Sequence, residues 1–206
     1  MMPDLDDELM RQCQKGDIAA FDLIVRRNRN SLVNFIARFL GDSDAAEDLA
    51  QETFIRMFKA MKRYKPGTAK FSTWMYHIAS NLCKNELRNR GRRSRFLVDN
   101  VTTGELSGRD RDADDDVIAT APAHASFQPE NQLEQKEQEQ VVQEAIAELP
   151  ERYRLPLILR DLQDLSYEEI SETLSLPLGT TKSRINRARL MLKDKLRSFV
   201  ESSWTA

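Results

Sequence analysis

The sequence is poor in the residues that build cross-linked or metal-stabilised proteins. Only two cysteines, Cys13 and Cys83, and two histidines, His77 and His124, occur in 206 residues, and no CxxC pair is present. Structural zinc sites and disulfide frameworks need closely spaced ligands or several cysteines, so neither is predicted. We expect both cysteines to be buried free thiols, and we expect no metal site and no cofactor.

Long apolar runs are also missing. No stretch approaches the roughly 20 apolar residues that span a bilayer, and the opening MMPDLDDEL is acidic where a secretory signal or transit peptide would be basic. The sequence therefore predicts no membrane insertion and a cytoplasmic location. Apolar residues still make up 40% of the chain, which excludes a wholly disordered protein and suits one or two compact domains.

Motifs that carry catalytic chemistry are absent from the sequence. It has no Gly-rich phosphate loop, no paired carboxylates, and no nucleophile and base at a usable spacing. Enzymes that process nucleotides or transfer groups need at least one of these arrangements. We therefore predict no catalytic residues and no enzymatic activity.

Charge is nearly balanced over the whole chain but segregated along it. The 31 Lys and Arg against 33 Asp and Glu give a net charge of −2. Residues 59–96 carry a net +10 and residues 182–206 a net +5, whereas 1–58, 97–132 and 133–181 carry −4, −6 and −7. Two separated basic blocks are typical of a protein that binds a polyanion at two places. Two solvated helix faces are the alternative.

Helical periodicity prevails. Apolar residues recur three and four positions apart, most clearly from Asp44 to Met61, and Val/Ile-rich alternating runs are missing, which predicts an all-α fold. The periodicity is lost over 97–132, where Asp, Gly, Thr, Ala and Pro are frequent. We therefore predict two small helical domains, 1–96 and 133–206, joined by a flexible acidic linker.

Two prolines bear on the start of one helix in the second domain. Pro150 suits a first helical turn. Pro156 lies deeper, where the lost backbone hydrogen bond costs about 3 kcal/mol in a helix interior. The sequence predicts either a kink at Pro156 or a late helix start.

Residues 166–197 predict a helix-turn-helix. Ser166 and Glu169 form a capping box, so a short helix should open at Tyr167, and Ser175–Gly179 supplies a turn. The helix that follows bears seven cations within residues 182–197. Such a helix suits the major groove, whereas a helical hairpin with a basic solvent face is the alternative. The residues expected to read bases are Lys182, Ser183, Arg184, Asn186 and Arg187.

Four segments together resemble the extracytoplasmic-function sigma factors of bacterial RNA polymerase, part of the sigma-70 family. They are DAAEDLAQETFIRMF (44–58), KFSTWMYHIASNLCKNELR (70–88), ELPERYRLPLILRDLQDLSYEEISETL (148–174) and LPLGTTKSRINRAR (176–189). The resemblance covers both predicted domains in order and omits the linker and the extreme ends. It implies a sigma region 2 bundle in 1–96 and a sigma region 4 helix-turn-helix in 133–206.

The resemblance implies three binding surfaces. One helix would dock on the clamp helices of the polymerase's largest subunit, through Asp48, Gln51, Glu52 and Arg56, and the flap of the second-largest subunit would be a further contact. The segment 62–90 would capture the unwound minus-10 strand, through Lys70, His77, Asn81, Lys84 and Arg88, with Asn81 helping to hold a flipped base. The helix starting near Thr180 would read the duplex minus-35 element, through Thr180, Thr181, Lys182, Ser183, Arg184, Asn186 and Arg187.

The implied function is a promoter-specificity subunit that binds core polymerase, recognises both elements and promotes DNA opening. An anti-sigma factor is the implied inhibitory partner. A stand-alone helix-turn-helix regulator would leave the basic segment 59–96 unused, and a nucleic-acid-processing enzyme lacks a site. Because acidic segments repel phosphate, we expect the free chain to bind promoter DNA weakly.

The sequence departs from the family pattern at three positions. Ser171, Ser175 and Thr181 stand where the family usually has Ala, Gly and an apolar residue such as Val. Each substitute is small enough to fit. Thr181, however, places a hydroxyl near the packing seam.

Overall fold

The computed structural model describes the backbone of residues 5–101 and 139–203. This part consists of helices joined by short turns, with one isolated β-bridge between Pro66 and Ala69. In chain order the elements are α1 (Leu5–Gln14), α2 (Ile18–Leu40), α3 (Ser43–Ala60), a 3₁₀ turn (Met61–Arg63), α4 (Phe71–Val101), α5 (described over 139–147), α6 (Glu151–Asp161), α7 (Tyr167–Leu174) and α8 (Leu178–Ser203). The all-α prediction is confirmed.

The junction between α2 and α3 is set by two adjacent residues. Gly41 ends α2 in the left-handed region, at φ +70°, and its N–H donates to the carbonyl of Ala37 at 2.8 Å. Asp42 then caps α3 by accepting the N–H of Ala45 at 3.0 Å. The Ala45 bond, followed by the bond from Arg90 of α4, outweighs partial burial and holds the pKa of Asp42 below its ordinary value. These contacts tie α4 to the start of α3.

The predicted apolar stripe of α3 faces the core. Ala46, Ala50, Phe54 and Met57 are buried against α2 and α4. Burial of these side chains is the main stabilising term of a helix that has few other tertiary bonds. The same arrangement leaves the opposite face of α3 to solvent.

Both cysteines are buried free thiols, as predicted. Cys13 lies on α1 and Cys83 on α4. Burial raises the pKa of the Cys83 thiol to about 12. Burial, with the nearby carboxylate of Asp17, also raises the pKa of Cys13. Neither thiol is therefore suited to act as a nucleophile at neutral pH.

Of the two alternatives predicted at Pro156, a kink or a late helix start, the late start does not occur. The helix α6 opens at Glu151, with Pro150 in the N-cap position, and Pro156 lies inside it. Its neighbours Leu155, Leu157, Ile158 and Leu159 are all buried. Apolar burial on both sides of the ring therefore offsets the hydrogen bond that the proline cannot make.

The capping box at the start of α7 is present as predicted. The Ser166 hydroxyl accepts the Glu169 N–H at 3.1 Å, and the Glu169 carboxylate accepts the Ser166 N–H at 2.7 Å. Ser175 ends α7 in the left-handed region, at φ +53°. Because α8 already opens at Leu178, the turn is shorter than the predicted Ser175–Gly179.

The two predicted domains pack against each other. α6 lies against α2, and α7 lies against α4, so that buried residues of both domains form one continuous core. α4 also continues to Val101 and so includes the first five residues of the predicted linker, 97–101. The remainder of the predicted linker lies outside the described residues.

Candidate nucleic-acid and polymerase interfaces

The helix α8 turns its apolar residues inward and its polar residues outward. Ile185 and Ala188 are buried and pack with residues of α6. Positions that fall between them on the helix point away from the core. There Lys182, Ser183, Asn186 and Arg187 are exposed, and Thr180 and Arg184 are half-buried. The structure therefore places this predicted set on one accessible side of α8.

Thr181 does not share that side. It is fully buried, and its hydroxyl donates to the Pro177 carbonyl at 3.3 Å, which also accepts the Thr181 N–H at 3.0 Å. The hydroxyl near the packing seam is thus satisfied inside the first helical turn. With no exposed atom to offer a base, Thr181 is removed from the set of DNA-reading residues.

Two contacts that orient α8 were not predicted from the sequence. Arg189 pairs with Asp161 at the end of α6 through both guanidinium arms, one of them at 3.0 Å, and this hydrogen bonding raises the pKa of Arg189. The Tyr167 ring lies 5.7 Å from the Lys182 ammonium and 5.2 Å from the Arg160 guanidinium. Arg189, one of the seven cations of this helix, therefore holds α8 against α6.

The candidate minus-10 residues of α4 lie where α4 meets α7. His77 Nδ1 donates to the Thr173 carbonyl at 2.8 Å, and His77 Nε2 accepts from the Asn81 amide at 3.2 Å. Lys70, just before α4, pairs with Glu169 of α7 at 2.7 Å. The resemblance implied that these side chains face DNA; here Lys70 and His77 also bond to the second domain, whereas the Lys70 side chain is 66% exposed and Asn81 is exposed.

The remaining two candidate minus-10 residues differ in their surroundings. Lys84 is half-buried and lines an open groove of about 490 Å³ that Arg184 of α8 also lines. Arg88 is exposed, and it bonds to its own helix, at Asn85 and at the Lys84 carbonyl. One cation of each predicted set therefore lines this groove: Lys84 of the minus-10 set and Arg184 of the minus-35 set.

The loop before α4 is held by an aromatic cluster. The Tyr64 hydroxyl donates to the Ala69 carbonyl at 3.2 Å and also bonds to Asp7. The Trp74 ring lies 4.8 Å from that of Tyr64, so Trp74 contributes to packing of this loop. Gly67 takes φ +87° at the tip, a conformation that favours glycine. The loop thus has one defined shape beside Lys70.

The candidate polymerase face on α3 is open to solvent. Asp48, Gln51 and Arg56 are exposed, and Glu52 is half-buried and pairs with Arg56 at 2.6 Å. Two apolar side chains lie among them and were missed by sequence reasoning, Ile55 at 46% and Phe58 at 38% exposure. Large exposed apolar residues beside charged ones are typical of a protein-binding surface.

Within the described ranges, no three His, Cys, Asp or Glu side chains are grouped so that they could hold a metal ion. The helices of those ranges include none with the length and apolar character needed to cross a bilayer.

Two family models match the chain in the order of its domains. The model of Sigma-70 region 2 matches residues 24–93, and that of Sigma-70 region 4 matches residues 139–192. The ECF RNA polymerase sigma-E factor of Haemophilus influenzae is 34% identical over 198 residues, which are 95% of this chain and 97% of that protein. The chain belongs to the extracytoplasmic-function sigma factors. The RNA polymerase sigma-H factor of Pseudomonas aeruginosa is likewise 34% identical over 198 residues, 96% of this sigma factor and 97% of the relative.

Two solved structures share the fold. CnrH, in complex with the cytosolic domain of CnrY, has a TM-score of 0.66 at 20% identity and covers 95% of this sigma factor and 99% of its own chain. The sigma factor RpoE of Bartonella quintana, in complex with the anti-sigma factor NepR, has a TM-score of 0.62 at 22% identity, with 86% and 96% covered. The two family models and the two relatives confirm the resemblance seen in the sequence. The chain is a sigma factor of RNA polymerase, and a stand-alone regulator is not favoured.

Proposed function

We propose that this sigma factor reads the minus-35 element with the accessible side of α8. The observation that carries this proposal is the clean division of α8, with Ile185 and Ala188 buried and the polar set on the other side. Arg reaches two acceptors of guanine at once, and Asn does the same for adenine. The proposed residues are Thr180, Lys182, Ser183, Arg184, Asn186 and Arg187.

The minus-10 strand is assigned to the α4 surface that includes Lys70, His77, Asn81, Lys84 and Arg88. Within α4, His77, Lys84 and Arg88 can donate to phosphate, and they recur seven and four residues apart on one side of the helix. Asn81, which is exposed, offers both a donor and an acceptor to a base that has left its stack. The ordered loop before Lys70 forms the neighbouring wall of this site.

Core polymerase is assigned to the outer face of α3. Asp48, Gln51, Glu52 and Arg56 supply the polar contacts, and Ile55 and Phe58 supply apolar area that is exposed in the free chain. By family resemblance, the clamp helices of the largest subunit lie on this face, and the flap of the second-largest subunit contacts the second domain. The chain itself catalyses no reaction in this proposal, since bond formation belongs to the polymerase.

An anti-sigma factor is the proposed inhibitory partner, and the cytoplasm is the proposed place of action because the polymerase works there. Two proteins of the same fold have been solved with a bound partner: CnrH with the cytosolic domain of CnrY, and RpoE with the anti-sigma factor NepR.

Replacing Arg187, which is exposed on α8, tests the minus-35 assignment. Arg187→Ala should weaken promoter binding by the holoenzyme by about 1–3 kcal/mol if the guanidinium contacts a base edge, and it should relax the preference at one position. Lys193→Ala, further along the same helix and also exposed, is the matched control. Binding is compared on a promoter and on its single-base minus-35 variants. Unchanged selectivity in Arg187→Ala would remove α8 from this role.

A further inference from the structure

We propose that α1 is a positioning element of the minus-10 site, because it holds the loop that forms one wall of that site. The loop consists of residues 64–70, between the 3₁₀ turn and α4. This inference rests on the proposed assignment of the minus-10 strand to α4 and to this loop. It adds a role in base recognition for α1, which otherwise contributes buried residues to the core.

Gln14, the last residue of α1, contacts both ends of the 3₁₀ turn that leads into the loop. Its side-chain amide donates to the Met61 carbonyl at 2.8 Å and to the Tyr64 carbonyl at 2.7 Å. Carbonyls at the end of a helical turn have no partner further along the helix and need one from elsewhere. One side chain of α1 therefore fixes where the 3₁₀ turn ends and where the loop begins.

Asp7 holds the side chain at the start of the loop. The Tyr64 hydroxyl bonds to the Asp7 carboxylate and to the Ala69 carbonyl, at 3.2 Å, near the other end of the loop. Asp7 and Tyr64 are both buried, and a hydroxyl bonded to a carboxylate is strengthened where little water competes. The two ends of the loop are therefore joined through a side chain that α1 holds in place.

α1 is itself fixed on the first domain. The Asp6 carboxylate accepts from Arg27 Nε at 3.0 Å and from the Asn28 amide at 3.1 Å, and both donors belong to α2. Met10 and Cys13 of α1 are buried in the core. Because α1 cannot shift freely, the bonds that it makes to the loop hold the loop in one place relative to α2.

The loop leads directly into the candidate minus-10 residues. Lys70 follows Ala69, and α4 begins at the next residue, Phe71. The Tyr64 ring centre lies 6.2 Å from that of Phe71 and 4.8 Å from that of Trp74, both in the first turn of α4. A shift of Tyr64 therefore changes the wall beside Lys70. Because hydrogen bonds weaken steeply with distance and angle, we expect such a shift to reduce base discrimination more than overall DNA binding.

Substitutions of similar size remove the bonds of α1 and leave every proposed DNA-binding residue in place. Gln14→Met keeps the length of the side chain and removes both donors. Asp7→Leu keeps much of the volume and removes the acceptor of the Tyr64 hydroxyl, whereas Asp7→Asn keeps an oxygen acceptor and should behave as wild type. Gln12→Met makes the same chemical change as Gln14→Met at another half-buried position of α1 and is the matched control.

Each full-length variant, and Asn81→Ala, is combined with core polymerase after circular dichroism has shown that it is folded. The probe is the fluorescein-labelled non-template strand across the minus-10 element of a promoter that the wild-type holoenzyme transcribes, with its single-base variants. Gln14→Met and Asp7→Leu should lower base discrimination about three- to tenfold at the position where Asn81→Ala lowers it, a factor typical of one lost hydrogen bond. Discrimination at other positions and affinity for core polymerase should match wild type, and Gln12→Met should match wild type throughout.

The positioning role is overturned if Gln14→Met and Asp7→Leu discriminate as wild type does, if they lose discrimination equally at every position, or if Asp7→Asn shares the loss. Each of these results leaves the minus-10 assignment intact, provided that Asn81→Ala still lowers discrimination at one position. If Gln14→Met does not fold, the comparison of Asp7→Leu with Asp7→Asn decides. If wild type distinguishes no minus-10 base, or Asn81→Ala discriminates as wild type does, the minus-10 assignment fails and the positioning role fails with it.

Discussion

Arg154 of α6 offers a sharp test of how the two domains are held together. Its guanidinium donates to the Phe39 carbonyl at 2.8 Å, to the Leu149 carbonyl at 2.8 and 3.1 Å, and to the Ala147 carbonyl. These carbonyls lie at the C-terminal ends of α2 and α5, where helices leave acceptors without a partner. A cation at such an end is also favoured by the helix dipole.

Arg154→Met keeps much of the aliphatic stem and removes every one of these donors. A hydrogen bond to a charged group contributes about 1.5–3 kcal/mol, but this guanidinium is only half-buried, so water can replace part of the loss. We expect the free energy of unfolding to fall by about 2–3 kcal/mol in total. For a chain of this size that lowers the melting temperature by about 4–12 °C.

Arg152→Met is the matched control for this substitution. Arg152 is exposed on the same helix, and its guanidinium lies 4.8 Å from the Tyr153 ring centre. Loss of that contact should cost about 0.5–1 kcal/mol at most. Both variants are unfolded in urea and followed by circular dichroism. If Arg154→Met were as stable as Arg152→Met, the guanidinium would not be joining the two helix ends.

Two further predictions concern the first domain. Asp42→Ala should lower the free energy of unfolding by about 1–2 kcal/mol at neutral pH. Because the pKa of Asp42 is lowered in the folded protein, the extra stability of wild type should be complete above about pH 4 and should disappear as the pH falls through that folded pKa. Urea titrations at neutral pH and below about pH 4 measure this difference in the free energy of unfolding, with Asp44→Ala as the control. A difference between wild type and Asp42→Ala that grew in acid would contradict the predicted direction. Ellman's reagent should label neither Cys13 nor Cys83 in the native protein at pH 8, since both thiols are buried and have raised pKa values, but both after unfolding. Rapid labelling of native protein would show that this core opens.

Features that depend on nearby residues were predictable from the sequence. The capping box of Ser166 and Glu169 involves residues three apart, and the buried stripe of α3 follows from helical period alone. The burial of Thr181 could have been read in the same way, because it lies four residues before Ile185, which is buried. Thr181 entered the predicted minus-35 set through the family resemblance instead.

Features that depend on the contact between domains were not predictable. The bond from His77 goes to a backbone carbonyl, that of Thr173, which carries no residue-specific signal in the sequence. Gln163 and Tyr76 are similarly distant along the chain, and each is an ordinary polar or aromatic residue by itself. The assignment of DNA-binding residues to α4 and α8 therefore stays a prediction, while the bonds between α4 and the second domain came only from the fold.

Run-off transcription with purified core RNA polymerase tests the central claim most directly. The full-length chain is added to core enzyme on genomic templates from the source organism, and transcript ends are mapped. The account predicts transcripts that start at defined sites only when the chain is present, and that share one minus-35 and one minus-10 sequence. Transcription that is unchanged by the chain on every template would contradict the assignment of this protein as a promoter-specificity subunit.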